Sequence, residues 1–399
     1  MGTGQIRLLT ASGASLVSRF NATYGQGSLI KLWVTSSGAA NAAWLLAGDG
    51  AYYNGTGVIA PTLPPSAPTP SLTYYVSPTG SDSNNGTSSS TPFQTLAKIN
   101  ALSIAANTAI LLQGGQSFTG CLAFIKGGNV PATTPTAGIQ LGAYGNGVST
   151  IVSNCPGSGS GTQGPKSAVV KFDGINGVFV SNIVANCNNT GTQYGILVQD
   201  SIDTNGITNA TISGNTAEGC NIGSNATADF SAEIAVLGYN TGANCSPVNQ
   251  VLISGNTAEG LSITGNDDAG IVVFGCTSAS SLNAQNITLT SNVVTNIGGR
   301  STGYAGGSGN GILINGGQYV NDAFNIVSHG GANTITCGGP GANWTYNSDN
   351  VNIHNNEVNT MGPTSPVSGG CDWLAYDLDG GVTNSIVQYN HSYNNFGNG

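Results

Sequence analysis

Charge is what this sequence has least of. Only 6% of its 399 residues are charged, against about 25% in an ordinary globular chain. Basic residues are the scarcer kind: eight Lys and Arg stand against 17 Asp and Glu, a formal net charge of −9. After Lys171 the only one is Arg300. That excludes recognition of DNA, RNA or an anionic membrane by phosphate neutralisation. Long apolar runs are missing as well: nothing reaches the roughly 18 residues of a membrane span. The opening residues, MGTGQIRLLTASGASLVSRF, lack a charged segment followed by an apolar one. Either an export signal is not part of this chain, or export takes another route, as for a phage structural protein. CxxC pairs and Cys/His groups of zinc spacing are absent too. The eight Cys (121, 155, 187, 220, 245, 276, 337 and 371) are therefore either buried small hydrophobes or partners in disulfides.

What is abundant is glycine, 61 residues, with Asn, Ser and Thr. Gly and Pro together stay below the roughly 25–30% at which low-complexity disorder is expected. With 39% hydrophobic residues, the composition is that of a folded chain with very many turns. Residues 1–59 read as a small β module with strands in QIRLL, SLIKLWVTS and AAWLLAGDG. Residues 60–71, APTLPPSAPTPS, form an extended Pro-rich linker. A second domain, 72–399, opens with a strand at Tyr74–Ser77. A short helix follows in PFQTLAKINAL, with Thr91 as N-cap, Pro92 at the first helical position and Phe93, Leu96, Ile99 and Asn100 near one face. Such a helix covers the open end of a sheet structure.

Beyond about residue 105 short strands alternate with Gly/Asn turns, and two series recur. One is apolar-x-x-Asn: Phe179–Asn182, Ile212–Asn215, Ile253–Asn256, Leu289–Asn292, Ile353–Asn356 and Val387–Asn390. The other is GILV at 195–198, EIAV at 233–236, GIVV at 270–273, GILI at 311–314 and AYDL at 375–378. Both share one irregular period, and both contain a jump of 64 residues. Two strand series with one period mark a solenoid in which each period is a coil and each series a parallel sheet. The predicted fold is all-β, a right-handed parallel β-helix with Asn at its corners, where local backbone bonds and stacked side chains suit it. The jump predicts one coil with a long excursion between Ile314 and Ile353; an extra, poorly patterned coil is the alternative. ISGNTAEG, at Ile212–Gly219 and again at Ile253–Gly260, is then a structural repeat. It predicts a ladder of Ala185, Glu218, Glu259 and Thr295, with the two Glu about 5 Å apart.

YYVSPTGSDSNNGTSSSTPFQTLAKIN, followed by AILLQGGQSFTG, resembles the head segment of the pectate-lyase-like superfamily of right-handed β-helix proteins. The resemblance covers about 72–399. It implies action on polysaccharide: β-elimination of an acidic polymer, often with calcium, or glycoside hydrolysis. Other members are phage tailspikes. The end, NSIVQYNHSYNNFGNG, stops one corner after a ladder Asn and predicts a helix cut short at its C-terminus.

A lyase needs a base and a positive charge that acidifies the proton beside a uronate carboxylate, and Ca2+ held by Asp and Glu supplies the second. Asp229, Glu233, Asp267 and Asp268 lie just before or within the second series on adjacent coils, which suits a metal site or a retaining glycosidase pair. GNDDAGI resembles the paired-Asp motif of polygalacturonase-type hydrolases, although Asn310 in SGNGILI stands where a His is wanted; Asp before Gly is equally a turn residue. Arg300 is a candidate base or partner for a substrate carboxylate, or a surface Arg bonding loop carbonyls; Lys166 and Lys171 are weaker candidates. CDWLAYDLDGG sets Asp377 and Asp379 beside Trp373 and Tyr376, a combination for sugar stacking and hydroxyl bonding. Half of these residues must face the core. Asp377 stands at the place of Ala235, Val272 and Leu313, an odd place for a charge. The candidate catalytic residues are thus Arg300, Asp267, Asp268 and Asp377. The substrate-binding candidates are Asp379, Trp373, Tyr376, Trp344, Tyr346 and Tyr304, the last three from the excursion and the Arg300 loop. His329, His354 and His391 read as turn residues.

The expected protein is an extracellular glycan-active β-helix, a lyase or hydrolase, with polysaccharide in a groove along one face. The alternatives are a non-enzymatic tailspike or fibre, trimeric and part of a virion, or a surface-layer solenoid.

Overall fold

The computed structural model describes residues 59–132, 138–155, 167–202, 205–221, 230–238, 246–262, 267–275, 282–299, 308–331, 341–362 and 374–395, together with two upstream strands. Those two, Lys31–Val34 and Trp44–Ala47, pair antiparallel. By its contacts the chain divides into Met1–Gly55 and Thr56–Gly399.

The second unit is a parallel β-helix. Its strands form three sheets of ten, nine and eight strands, each sheet taking one strand per coil in chain order. The first sheet begins at Leu72–Val76 and Thr108–Gln113, the second at Ser117–Thr119 and the third at Leu122–Ile125. Every coil visits the sheets in that order, which brings residues one coil apart in sequence into register.

Why these residues stack follows from the inward rows. In the first sheet Ile110, Leu141, Val180, Ile212, Ile253 and Leu289 lie in one row. In the third, Val170, Ile196, Ile234, Ile271 and Ile312 do the same. All are buried in one continuous core. Branched side chains of one shape, repeated at the strand spacing of about 4.8 Å, stack into continuous rows. The third sheet is apolar on its outer face too: Leu197, Ala235, Val272 and Leu313 form a second buried cluster with Phe230, Phe274 and Trp344 packed against it. A strand covered on both faces reads as a continuous apolar run rather than an alternating one.

The corner between the first and second sheets turns on one left-handed residue, such as Gly214, Gly255 or Ser291. The next residue is the buried ladder Asn. Asn256 Nδ2 donates to Ile212 O at 2.9 Å and to Asn292 Oδ1 at 3.0 Å, and the same Oδ1 accepts Asn256 N at 3.0 Å. Asn215, Asn325 and Asn356 continue the ladder. It satisfies backbone groups that the turn removes from the sheets.

Four expectations change. Asn182 is not in the ladder: it is the left-handed turn residue, φ 59°, and Ile183 takes the ladder place one residue on. Ala185 does not pair with Glu218; Ala185 pairs with Ala217 inside, and Asn186 pairs with Glu218 outside. Glu218 pairs with Glu259, and Glu259 with Thr295. The 64-residue jump is no excursion. It contains an ordinary coil, Gly317–Ala323, Ile326–Ser328 and Gly341–Tyr346, whose inward residues include Asp322 and Asn343 where neighbours carry Leu289 and Ile312. The helix is shorter than expected, Leu96–Asn100, and its N-cap is Thr95, whose Oγ1 accepts Lys98 N at 3.1 Å. Asp82 Oδ1 accepts Gln94 N and Thr95 N, while Phe93 bridges to Val76, so the Thr91 region belongs to the strand entry.

The Pro-rich segment is laid along the first sheet. Asn107 Nδ2 donates to Thr69 O at 2.8 Å and Gln140 Nε2 to Pro68 O. Farther along, Thr62 N donates to Asn286 Oδ1 at 2.9 Å. From Asn107 to Asn286 the sheet advances by five strands, about 24 Å. Polyproline geometry carries the segment that far at about 3.1 Å per residue.

Two disulfides tie coils at one corner, after the second sheet: Cys121–Cys155 and Cys187–Cys220, with partners 34 and 33 positions apart in sequence. The other four Cys lie outside the described residues.

Candidate functional site

The register of the third sheet sorts the acidic candidates into two groups. Asp377 pairs with Trp344 and continues the outward row of Leu313, Val272 and Ala235. Asp379 pairs with Tyr346, which follows Asn315. Two aromatic rings on one coil therefore neighbour two carboxylates on the next, about 4.8 Å away across the strands. Within each strand the two outward residues stand about 6.6 Å apart. The apolar wall on this face ends at Trp344. Trp344 and Asp377 are half-buried, whereas Tyr346 and Asp379 are exposed. Asp379 Oδ1 accepts Gly380 N at 2.6 Å, and Tyr346 lies so close over Gly380 that a Cβ there would stand 2.6 Å from its ring. Asn315 Oδ1 and Trp344 Nε1, buried on this face, have no hydrogen-bond partner among the described residues.

The second group is interior. Glu233 is fully buried, and its Oε1 accepts Cys220 N at 3.1 Å. The ladder runs from the Tyr194–Ala232 pair to the Ile196–Ile234 pair, and Glu233 sits between, turned inward beside Ile234. The equivalent residues on other coils are Gly195, Gly270 and Gly311, where a Cβ would come within 2.2–2.8 Å of Ala217, Val294 or Val327 side chains. Asp267 is 3% exposed and Asp268 0%. Asp268 Oδ2 accepts Ser231 N at 2.8 Å and Ser231 Oγ, a stitch between adjacent coils. Burial pushes the Glu233 carboxyl well above its usual range, with Asp267 adding to the effect. Burial, then Asp268, raises Asp267 to about 8. All three are buried, whereas the expectation sets Asp267 and Asp268 on substrate and Asp229, Glu233, Asp267 and Asp268 around a calcium ion. A charge this deep is stable only when neutralised or fully bonded. Tyr376 is likewise inward: it follows Asn343 in register, and its hydroxyl donates to Asn356 O at 3.0 Å and His391 O at 3.1 Å. It is no sugar platform.

Lys171 faces outward on an earlier coil, paired with Asp173 at 3.0 Å. His354 is a strand residue rather than a turn residue, its Nε2 bonded to Asn321 Oδ1 at 2.9 Å. Arg300, Tyr304, Trp373, Asp229 and Lys166 lie outside the described residues. What sequence reasoning missed on this face is Asn315; its signal is an Asn at the outward end of GILIN, where earlier coils have Leu237 and Phe274.

Solved structures with a similar path include the GH136 lacto-N-biosidase from Eubacterium ramulus, 17% identical over 80% of this chain at a TM-score of 0.41. Pectate lyase Pel9A is 18% identical over 80% of each chain, TM-score 0.31. A rhamnogalacturonan lyase is 13% identical over 79% of this chain and 87% of its own, TM-score 0.31. This chain spans 56% of the lacto-N-biosidase. No protein-family model and no curated protein matches it. In architecture the chain is a parallel β-helix.

Proposed function

We propose that this protein is a glycan-active β-helix that binds a polysaccharide where the covered outer face of the third sheet ends, at Trp344, Tyr346, Asp377 and Asp379, and hydrolyses it. The observation that carries the reading is the register of Trp344 with Asp377 and Tyr346 with Asp379. Aromatic faces hold the apolar faces of sugars, and carboxylates beside them bond hydroxyls or move protons. Asp377 and Asp379 stand two residues apart on one face, with backbones about 6.6 Å apart, and an inverting pair holds its carboxyl groups roughly 6.5–9.5 Å apart around a water. Asp377, the more enclosed, takes the role of proton donor to the leaving oxygen, and exposed Asp379 the role of base toward the water. Two disulfides favour an oxidising compartment, in keeping with a protein that works outside the cell.

The test is incubation with acidic and neutral polysaccharides, with calcium or with a chelator, following new reducing ends and the ultraviolet absorbance of an unsaturated uronate. Reducing ends alone, lost at least about 100-fold in Asp377→Asn and Asp379→Asn, are expected. Both signals rising with calcium would replace hydrolysis by β-elimination. Silence across the panel from folded protein would leave binding without catalysis, as in a tailspike or fibre.

A further inference from the structure

The corner between the first and second sheets carries a second anomaly. Its turn residue is left-handed on every coil, a conformation that costs a residue with a Cβ and that Gly, Asn or Ser fills most easily. Gly214, Gly255, Ser291 and Asn355 obey this, but Phe324 and Tyr389 do not, with φ 58° and 54°. Phe324 is 40% exposed, and Tyr389, on the last described coil, 65%. A Gly would fill this turn without left-handed strain, so a large ring here is not required by the turn geometry. Phe324 is seated edge-on against His354, ring centroids 5.8 Å apart, and His354 is held in turn by Asn321 and Asn355. Phe324 and Tyr389 are two coils apart, about 9.6 Å, with the amide of Asn355 on the coil between. Val293 and Ile326, each more than a third exposed, extend the apolar edge beside Phe324.

We propose that this corner is a glycan-holding ridge, separate from the cleavage face, that grips a polysaccharide running along the solenoid axis. The inference rests on the glycan reading above. Phe324 and Tyr389 take the apolar faces of alternate sugars. The rings are spaced by a polar coil rather than merged into one apolar area, which fits a chain of sugars better than the contiguous core of a protein interface. The ridge side chains named here carry no cation that would draw a nucleic acid.

The experiment is the double variant Phe324→Gly, Tyr389→Gly in the full chain. Gly is what the same turn uses at 214 and 255, so the melting temperature is expected to hold or rise. Affinity electrophoresis in gels containing polygalacturonate, alginate, xylan or galactan then reads binding. For the polymer that retards the wild type, the double variant is expected to bind about tenfold more weakly, the loss of two ring contacts, while turnover of short oligosaccharides is unchanged. Asp377→Asn with Asp379→Asn should do the reverse, keeping retardation and losing turnover. Unchanged retardation in a double variant of full thermal stability overturns the ridge and leaves the cleavage face untouched. A wild type that no polymer retards also overturns it.

Discussion

Two coils of this solenoid fill one interior in opposite ways. In the coil of Val248–Ser254 and Ala269–Phe274 the inward places carry Ile253 and Ile271. In the coil of Gly317–Ala323 and Gly341–Tyr346 the same two rows carry Asp322 and Asn343. Asn343 Nδ2 donates to Asp322 Oδ2 at 3.0 Å, and Asn325 Nδ2 to Asp322 Oδ1 at 2.7 Å. The apolar coil is stabilised by area removed from water. The polar coil spends hydrogen bonds on cancelling a desolvation cost, and burial still raises Asp322 to about 7. Shape and register, not hydrophobicity alone, are what a coil must supply to keep the stack going.

The largest test of that contrast moves the carboxylate alone. Ile253→Asp places it among apolar neighbours with no built donor, and should cost more than about 4 kcal/mol. Urea denaturation would show either a collapsed midpoint or no folded protein; a midpoint near wild type would mean the interior tolerates charge anywhere.

Next comes pH. Folding raises the Asp322 pKa above that of the unfolded chain, so the folded state holds the proton more tightly. Stability is then greatest below about pH 4, falls as pH climbs through about 7, and levels off above. The loss has a ceiling of about 4 kcal/mol. Asp267, raised to about 8, and Glu233 act with the same sign. The melting temperature should fall from pH 5 to pH 8, and Asp322→Asn should remove part of that fall. A variant profile parallel to wild type would show that Asp322 does not titrate there.

The smallest effect is a double-mutant cycle. Asn343→Ile and Asp322→Leu alone each strand a buried partner, at about 1–3 kcal/mol. Together they restore the apolar pair of the neighbouring coils and should approach wild-type stability. Additivity within about 0.5 kcal/mol would mean the two side chains do not support each other.

The same contrast explains what could be read beforehand. The coils with Ile212, Ile253 and Leu289 were legible because an apolar residue three before the ladder Asn recurs. The coil with Asn325 was not, because Asp322 breaks that pattern and Asn343 breaks the partner series. Asp377 stood out because a charge replaces Ala235, Val272 and Leu313 in one row. Glu233 was misplaced because period-two alternation puts it opposite Ile234, whereas the ladder passes over it and both turn inward. Asp267 and Asp268 precede their strand at the corner, where alternation says nothing about facing. The ring at Phe324 carried no signal either, since a left-handed backbone is not written in an aromatic residue.

By itself the sequence determined the architecture, because repetition of like residues at a coil period is enough to specify stacked parallel strands. It also marked Asp377 as a charge in an apolar row, whereas the pairing of Trp344 with Asp377 and of Tyr346 with Asp379 came only from the register of the third sheet. Only the tertiary structure decided which carboxylates face outward. That choice depends on one-residue register at the corners, and a slip of one residue exchanges inside for outside.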